Sequence, residues 1–224
     1  MIKVRVYPTL LDEWRNVRLG LYNLGPERLI EKITEKFVTN PAVSRGWAYH
    51  KMLEEGPEKY RVDPPDKKGA SPLFSVYEPE LNKTWNFSWE AVQPIYQLRD
   101  QYEQMAHEVW GRWEVYRGPY HVRSNMRLDG LFGRQLNEFK TTGGTKKWED
   151  YYNSLQWKMN LLAFPELDEV TYHVFKLNDD NTRCDYQRFK YQPYPGLALD
   201  VLNELDGFLN WLGGNPELLP HLTF

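Results

Sequence analysis

The stretch RLDGLFGRQLNEFKTTGG, residues 127–144, decides how this chain is read, because it sets two acids and a lysine into what is otherwise apolar strand. Side chains alternate faces along a strand with a period of two. Glu138 and Lys140 therefore share one face, and Asn137, Phe139 and Thr141 share the other. Asp129 ends the preceding strand, and the region of Gly130 and Gly133 turns the chain back, so antiparallel pairing brings its carboxylate toward Glu138. Two carboxylates that close repel each other unless a cation or a proton lies between them. Hard oxygen donors of this kind suit Mg²⁺ or Mn²⁺. The plainer alternative is a Glu138–Lys140 surface pair with Asp129 as a turn residue.

Working outward, strands are expected at roughly 112–118, 120–130 and 134–141, with glycines at the joints. Upstream, Ile2, Val4 and Val6 alternate as in a strand. PERLIEKITEKFVTN (26–40) is a helix behind a first-turn Pro26, and SRGWAYHKMLEEG (44–56) is another, capped by Ser44 and stopped by Gly56. PEKYRVDPPDKKGASP (57–72) reads as a loop, with LFSVY and KTWNF extended after it. A long helix is expected from about Pro94 to Trp110. Downstream come a helix at 148–164, the strands TYHVFKL and TRCDYQRFKY joined by an NDDN turn, and an amphipathic helix from about 196 to 212. The pattern predicts one α/β unit over residues 1–224, a mixed central sheet flanked by helices. Its motif-bearing core lies at about 44–191, with a helical N-terminal part and a C-terminal helix packed on it.

Composition limits the alternatives. With 224 residues, 41% apolar and 26% charged, one sizeable core is expected. No run approaches the roughly 18 apolar residues of a membrane span, and MIKVRVYP is too short for a secretory signal, so no membrane partner and a cytoplasmic location are expected. Cys184 is the only cysteine, which excludes a four-cysteine zinc site or iron–sulfur cluster. The net charge of -3 offers no global argument for nucleic acid. Between Met105 and Lys147, however, eight basic residues face four acids, so a cation on Asp129 and Glu138 would leave this segment distinctly positive.

A second motif lies far upstream, RGWAYHKMLEE at 45–55. With it, the chain resembles the RecB-type branch of the PD-(D/E)XK nuclease superfamily. That family's first motif is a helix reading G-x-x-x-H-x-x-L-E, matched by Gly46, His50, Leu53 and Glu54. Its next is R-x-D or G-x-x-D followed by a strand ending D/E-x-K-T, matched by Arg127, Leu128, Asp129, Gly130 and then Glu138, Phe139, Lys140, Thr141. The third, Q-x-x-x-Y, is met by Gln156 alone, with Asn160 where the tyrosine would stand. Tyr152, one turn before Gln156, either completes a stripe Tyr152–Gln156–Asn160 or belongs to the core face with Tyr151 and Leu155.

The resemblance covers about residues 44–164 and implies a restriction-endonuclease-like core with a role for each matched residue. His50, Asp129, Glu138 and the backbone carbonyl of Phe139 would hold Mg²⁺ or Mn²⁺. Lys140 would position or polarise the attacking water, and Gln156 would help to set the substrate strand. The implied activity is a metal-dependent deoxyribonuclease, an exonuclease of recombination, repair or phage replication. Its partner would be single- or double-stranded DNA, with a recombination protein as a candidate second partner. A non-catalytic DNA-binding or assembly module of the same fold and a structure-specific endonuclease are the alternatives. Arg127, Arg134, Lys146 and Lys147 flank the matched residues and are expected on DNA phosphates, with Tyr152 as a further contact. His107, His121 and His173 lack such partners and read as structural.

Overall fold

The computed structural model describes residues 1–35, 39–63, 71–143 and 149–224. In chain order the described elements are β1 (Ile2–Arg5), α1 (Pro8–Arg18), α2 (Pro26–Thr34), α3 (Pro41–Glu55), β2 (Arg61–Val62), β3 (Leu73–Glu78), β4 (Lys83–Ser88), α4 (Trp89–Glu103), β5 (Ala106–Arg117), β6 (Tyr120–Phe132), β7 (Gln135–Thr142), α5 (Glu149–Tyr152), α6 (Leu155–Ala163), β8 (Glu169–Leu177), β9 (Cys184–Tyr191), α7 (Leu197–Gly213) and α8 (Leu219–Leu222). Among them β1, β5, β6, β7, β8 and β9 form one sheet, and β2, β3 and β4 a small antiparallel one. The larger sheet is mixed: β1 is parallel to β6 and β7 to β8, whereas β5–β6, β6–β7 and β8–β9 are antiparallel. The chain is thus α/β, with a mixed central sheet flanked by helices.

The two faces of the sheet collect different helices. Val4, Val6, Val122 and Met126 pack with Leu10, Leu11, Trp14, Met159, Leu205 and Phe208, which puts α1, α6 and α7 over β1 and β6. Leu136, Val170, Tyr172 and Val174 extend that layer against Trp157 and Leu161. The opposite face of β7 and β8, carrying Phe139, Phe175 and Leu177, is covered by Tyr49, Met52 and Leu53 of α3 and by Ile95 and Leu98 of α4. Each such side chain, once fully buried, contributes about 1.5–3 kcal/mol. No helix among the described residues is long and apolar enough to cross a membrane.

Several boundaries differ from those expected. The helix assigned from Pro94 to Trp110 starts at Trp89, capped by Ser88 Oγ on Ala91 N (3.2 Å), and ends at Glu103. Trp110 lies in β5, because a ladder running from Ala106↔Leu131 to Arg117↔Tyr120 outweighs the helical preference of the preceding run. Helix α3 begins earlier than Ser44: Asn40 caps Ala42 N and Val43 N, both at 3.0 Å, behind Pro41. Ser44 is buried and donates to Glu78 instead. Gly56 does end α3, at φ +89°, where a Cβ is disfavoured. The helix expected at 148–164 is broken at Asn153–Ser154. Ser154 caps Gln156 N (3.1 Å), while Asp12 of α1 accepts from both Ser154 Oγ and Leu155 N at 2.6 Å. The strand expected at Ile2, Val4 and Val6 is β1 of the central sheet, so the N-terminal part is not helical alone, and α1 occupies a stretch to which the sequence pattern assigned no element.

One packing contact yields a stability test. A Cβ at Gly111 of β5 would overlap the ring of Phe164, which follows α6. Gly111→Ala is expected to destabilise the fold by about 1–3 kcal/mol through overpacking. A lowered urea midpoint at unchanged slope is the corresponding observation.

Candidate active site

The site is built around a fork in the sheet. β6 and β7 pair only at Phe132↔Gln135, Leu131↔Leu136 and Gly130↔Asn137, whereas β7 continues to Thr142 along β8. On the same side of β6, β1 pairs only with Tyr120–Arg123, so Ser124–Asp129 has no strand beside it there among the described residues. Asp129 fills the fork. Its Oδ2 accepts from the backbone N–H of Phe139 at 2.9 Å, taking the place that a strand carbonyl would hold. A strand residue's N–H and C=O lie on one edge. The carbonyl of Phe139 is therefore turned toward the fork as well.

The backbone is irregular at this point. Leu128 packs with Leu136 in the α6 layer, whereas a Cβ on Gly130 would meet Met105 on the opposite face, so the alternation of β6 changes phase across Asp129. Across the ladder, His107↔Gly130 and Val109↔Leu128 are paired but Glu108 is not, and Glu108 has φ +53°. A left-handed non-glycine residue costs about 1–3 kcal/mol and persists only where its surroundings impose it. Such irregularities in a ladder are frequent where a side chain must be re-aimed beside a site.

On the other side of Phe139, Glu138 and Lys140 share a face as expected, but they are not a surface pair. Lys140 Nζ lies 2.8 Å from Glu138 Oε2, with the glutamate side chain only 1% exposed and the lysine 25%. Two amides complete the shell: Gln156 Nε2 donates to Oε2 at 3.0 Å and Asn160 Nδ2 to Oε1 at 3.3 Å. Gln156 and Asn160 are four residues apart on α6 and so lie on one stripe. Burial is the main influence on Glu138 and Asp129 adds to it; against the pull of Lys140 and Asn160 they raise its carboxyl to about 7. For Lys140, burial works against the charge, but the Glu138 and Asp129 carboxylates outweigh it and hold the ammonium above its usual pKa.

His50 comes from α3, across the fork. It lines a cleft of about 80 Å³ with Glu54, Tyr102, Glu108, Arg127, Asp129 and Phe139. Burial lowers its imidazole pKa, Asp129 partly offsets that, and Lys140 adds to it, so the ring stands neutral. A shallower basin of about 570 Å³ shares Glu54, Tyr102 and Glu108 with this cleft and is otherwise lined by Arg99, Glu103 and His107. Among the described residues no three His, Cys, Asp or Glu side chains form a ready-made cation cage. The donors present are His50 and Asp129 in the cleft, the Phe139 carbonyl, and Glu138 held by Lys140 and two amides. Two carboxylates, a neutral imidazole and a strand carbonyl suit a hard to borderline divalent ion by chemistry.

The remaining expected contacts are spread more widely. Arg127 borders the cleft and pairs with Glu108 at 3.2 Å. Arg134 sits in the β6–β7 turn with Asp168 at 2.8 Å, about 13 Å along the strand from Glu138, away from the fork. Lys146 and Lys147 lie outside the described residues. Tyr152 does not continue the Gln156–Asn160 stripe, because the break at Ser154 separates the helices; its ring is exposed, 6.1 Å from that of Tyr191. The tyrosine nearer the site is Tyr151, buried beside Thr142 and Lys140: burial raises its phenol pKa and both neighbours oppose this. His173 is buried between Asn137 and Tyr186, at 2.9 and 2.8 Å, a structural role as expected. His107 stacks on Tyr102 at 4.1 Å and lies 3.2 Å from the Asp129 carbonyl, closer to the site than its sequence suggested. Glu108 was not singled out either; it joins Asp129 in lining the cleft only through the folding of β5 against β6, which no local pattern carries.

No family model matches the chain, and no curated protein matches it. Among solved structures it is similar to that of SSO0001, with a TM-score of 0.51 at 14% identity, over 92% of this chain and 75% of that one. At that identity the likeness bears on the fold alone.

Proposed function

We propose that the chain is a metal-dependent deoxyribonuclease with a PD-(D/E)XK, restriction-endonuclease-like core, acting as an exonuclease on DNA. The observation that carries this reading is the buried Glu138–Lys140 pair beside Asp129 at the fork, with the neutral imidazole of His50 facing the same gap. Burying a carboxylate next to a second one is costly, and stability alone rarely favours it. His50, Asp129, Glu138 and the Phe139 carbonyl would hold Mg²⁺ or Mn²⁺. The ion would supply Lewis acidity toward water and the scissile phosphate. The protein's own contribution is placement. Phe139 N–H fixes the rotamer of Asp129, and Gln156 and Asn160 fix the Glu138 carboxylate. Lys140 Nζ provides a positive charge where water attacks phosphorus and negative charge grows on the phosphoryl oxygens.

A second reading is favoured by one observation: Glu138 already has three donors from within the chain, as it would in a non-catalytic DNA-binding module keeping this pair as structure. Incubating linear single- and double-stranded DNA with the protein separates the two. Progressive shortening with Mg²⁺ or Mn²⁺ and none in EDTA is expected; intact DNA under all cations would leave only the binding module.

A further inference from the structure

Among the described residues, the helical layers leave one part of the central sheet open. Val122, Met126 and Leu128 of β6 face α1, α6 and α7, while α3 and α4 cover the other face only over β7, β8 and β9. The alternate residues of β5 and β6 therefore share a face without a helix over it, closed at its β1 end by Phe224, whose ring lies 3.9 Å from the Arg123 guanidinium, 5.4 Å from the His121 ring and 5.7 Å from Lys3 Nζ. Register places Trp110 beside Arg127, Arg112 beside Asn125, and Tyr116 beside His121. It also places Lys3 and Arg5 of β1 beside His121 and Arg123. Trp110 is 68% exposed and Tyr116 63%. They stand six residues apart on one strand face, about 20 Å.

The charge on this face opposes that of the whole chain. Lys3, Arg5, Arg112, Arg123 and Arg127 are set against Glu108 and Glu114, on a protein of net charge -3. Both acids already pair with arginines, Glu108 with Arg127 at 3.2 Å and Glu114 with Arg123 at 2.6 Å. The Glu108–Arg127 pair is exposed and of a kind that contributes little, so Arg127 can take another anion at small cost. The strip is continuous with the candidate site, because Arg127 and Glu108 at its end line the cleft of Asp129 and His50.

We infer that this β5–β6 face is a track for single-stranded DNA leading into the fork, with Trp110 and Tyr116 as stacking platforms for bases and the exposed Arg5, Arg112 and Arg127 on phosphates. Its substrate rests on the proposed nuclease function; the surface itself rests on charge complementarity and continuity with the cleft. Bases can reach an exposed ring only when they are unpaired, so a stacking face favours a single strand over a duplex. Phosphate contacts give affinity without base preference.

Fluorescence anisotropy of a labelled oligo(dT) and of a blunt duplex, in EDTA so that nothing is cut, tests the assignment. Trp110→Ala is expected to weaken oligo(dT) binding by about tenfold or more, the scale of one base stack, with Trp110→Phe restoring most of it and duplex binding unchanged. Arg5→Ala with Arg112→Ala should flatten the salt dependence by about 0.7 for each phosphate that is no longer neutralised. All of these positions are at the surface, and circular dichroism checks that each variant keeps its fold. Unchanged oligo(dT) affinity in a Trp110→Ala, Tyr116→Ala double variant overturns the track, as does equal weakening of the duplex. A dimer that Trp110→Ala dissociates while oligo(dT) affinity stays the same assigns the face to a second copy and overturns it too. Cation-dependent cleavage by a protein whose binding ignores Trp110 and Tyr116 removes the track and leaves the nuclease standing. Binding through Trp110 without cleavage under Mg²⁺ or Mn²⁺ keeps the track and removes the nuclease.

Discussion

Lys140→Ala is expected to slow cleavage of linear DNA by about 10²–10³-fold at saturating cation and DNA, the range seen when a single group stabilising developing charge is removed. DNA affinity should hold, because Nζ is turned inward onto Glu138 at 2.8 Å and only a quarter of the side chain is exposed. Removing one partner of a buried pair can cost about 3–5 kcal/mol when the other charge is stranded. Here the loss should be smaller, since Glu138 stands at about 7 even with Lys140 beside it and can take up a proton instead. Lys140→Met keeps the stem and should be as slow as the alanine variant. Single-turnover cleavage with a parallel urea melt reads both effects, and wild-type turnover in either variant would make Lys140 a counter-charge only.

Asp129→Asn should abolish cleavage and remove the heat of Mn²⁺ binding in isothermal titration while leaving the protein folded. An asparagine carbonyl can still accept from Phe139 N–H at the 2.9 Å seen for the carboxylate, so the charge is lost and the fork is kept. Asp129→Ala removes the acceptor as well and leaves that N–H without its partner, at an additional cost of about 1–3 kcal/mol in stability. The two substitutions thus divide the electrostatic role of Asp129 from its role in the backbone. Mn²⁺ binding by Asp129→Asn equal to that of the wild type would remove Asp129 from the proposed cation site.

What could be read from the sequence followed the local patterns. The shared face of Glu138 and Lys140 needs only a period of two, and the strand they sit on runs from Gln135 to Thr142, close to the expected span. The end of α3 at Gly56 was equally local. The missing parts depend on partners distant in the chain. Gln104 and Met105 carry no strong stop signal, and only the ladder with β6 shows why Trp110 is extended. Ser154 is a visible cap, yet the helix break it marks is secured by Asp12. The fork is less legible still, because it arises from where β1 and β7 stop along β6. That is why Asp129 was expected near Glu138, whereas its bond to Phe139 N–H was not.

The parallel pairing of β1 with β6 constrains how the chain reaches this structure. Val4 and Val122 are register partners separated by more than a hundred residues, so β1 emerges early in synthesis and waits for its neighbour. At about 5–20 residues per second that interval is on the order of 6–24 seconds. Until then the apolar side of β1 and the inner faces of α1 have only local partners, since Leu10, Leu11 and Trp14 are buried against Val122, Val201, Leu205 and Phe208. Closing so long a loop costs entropy before any pairing offsets it, and such non-local pairing slows folding. The edge of the fork that β1 bounds is therefore completed only after the chain has closed on its own beginning.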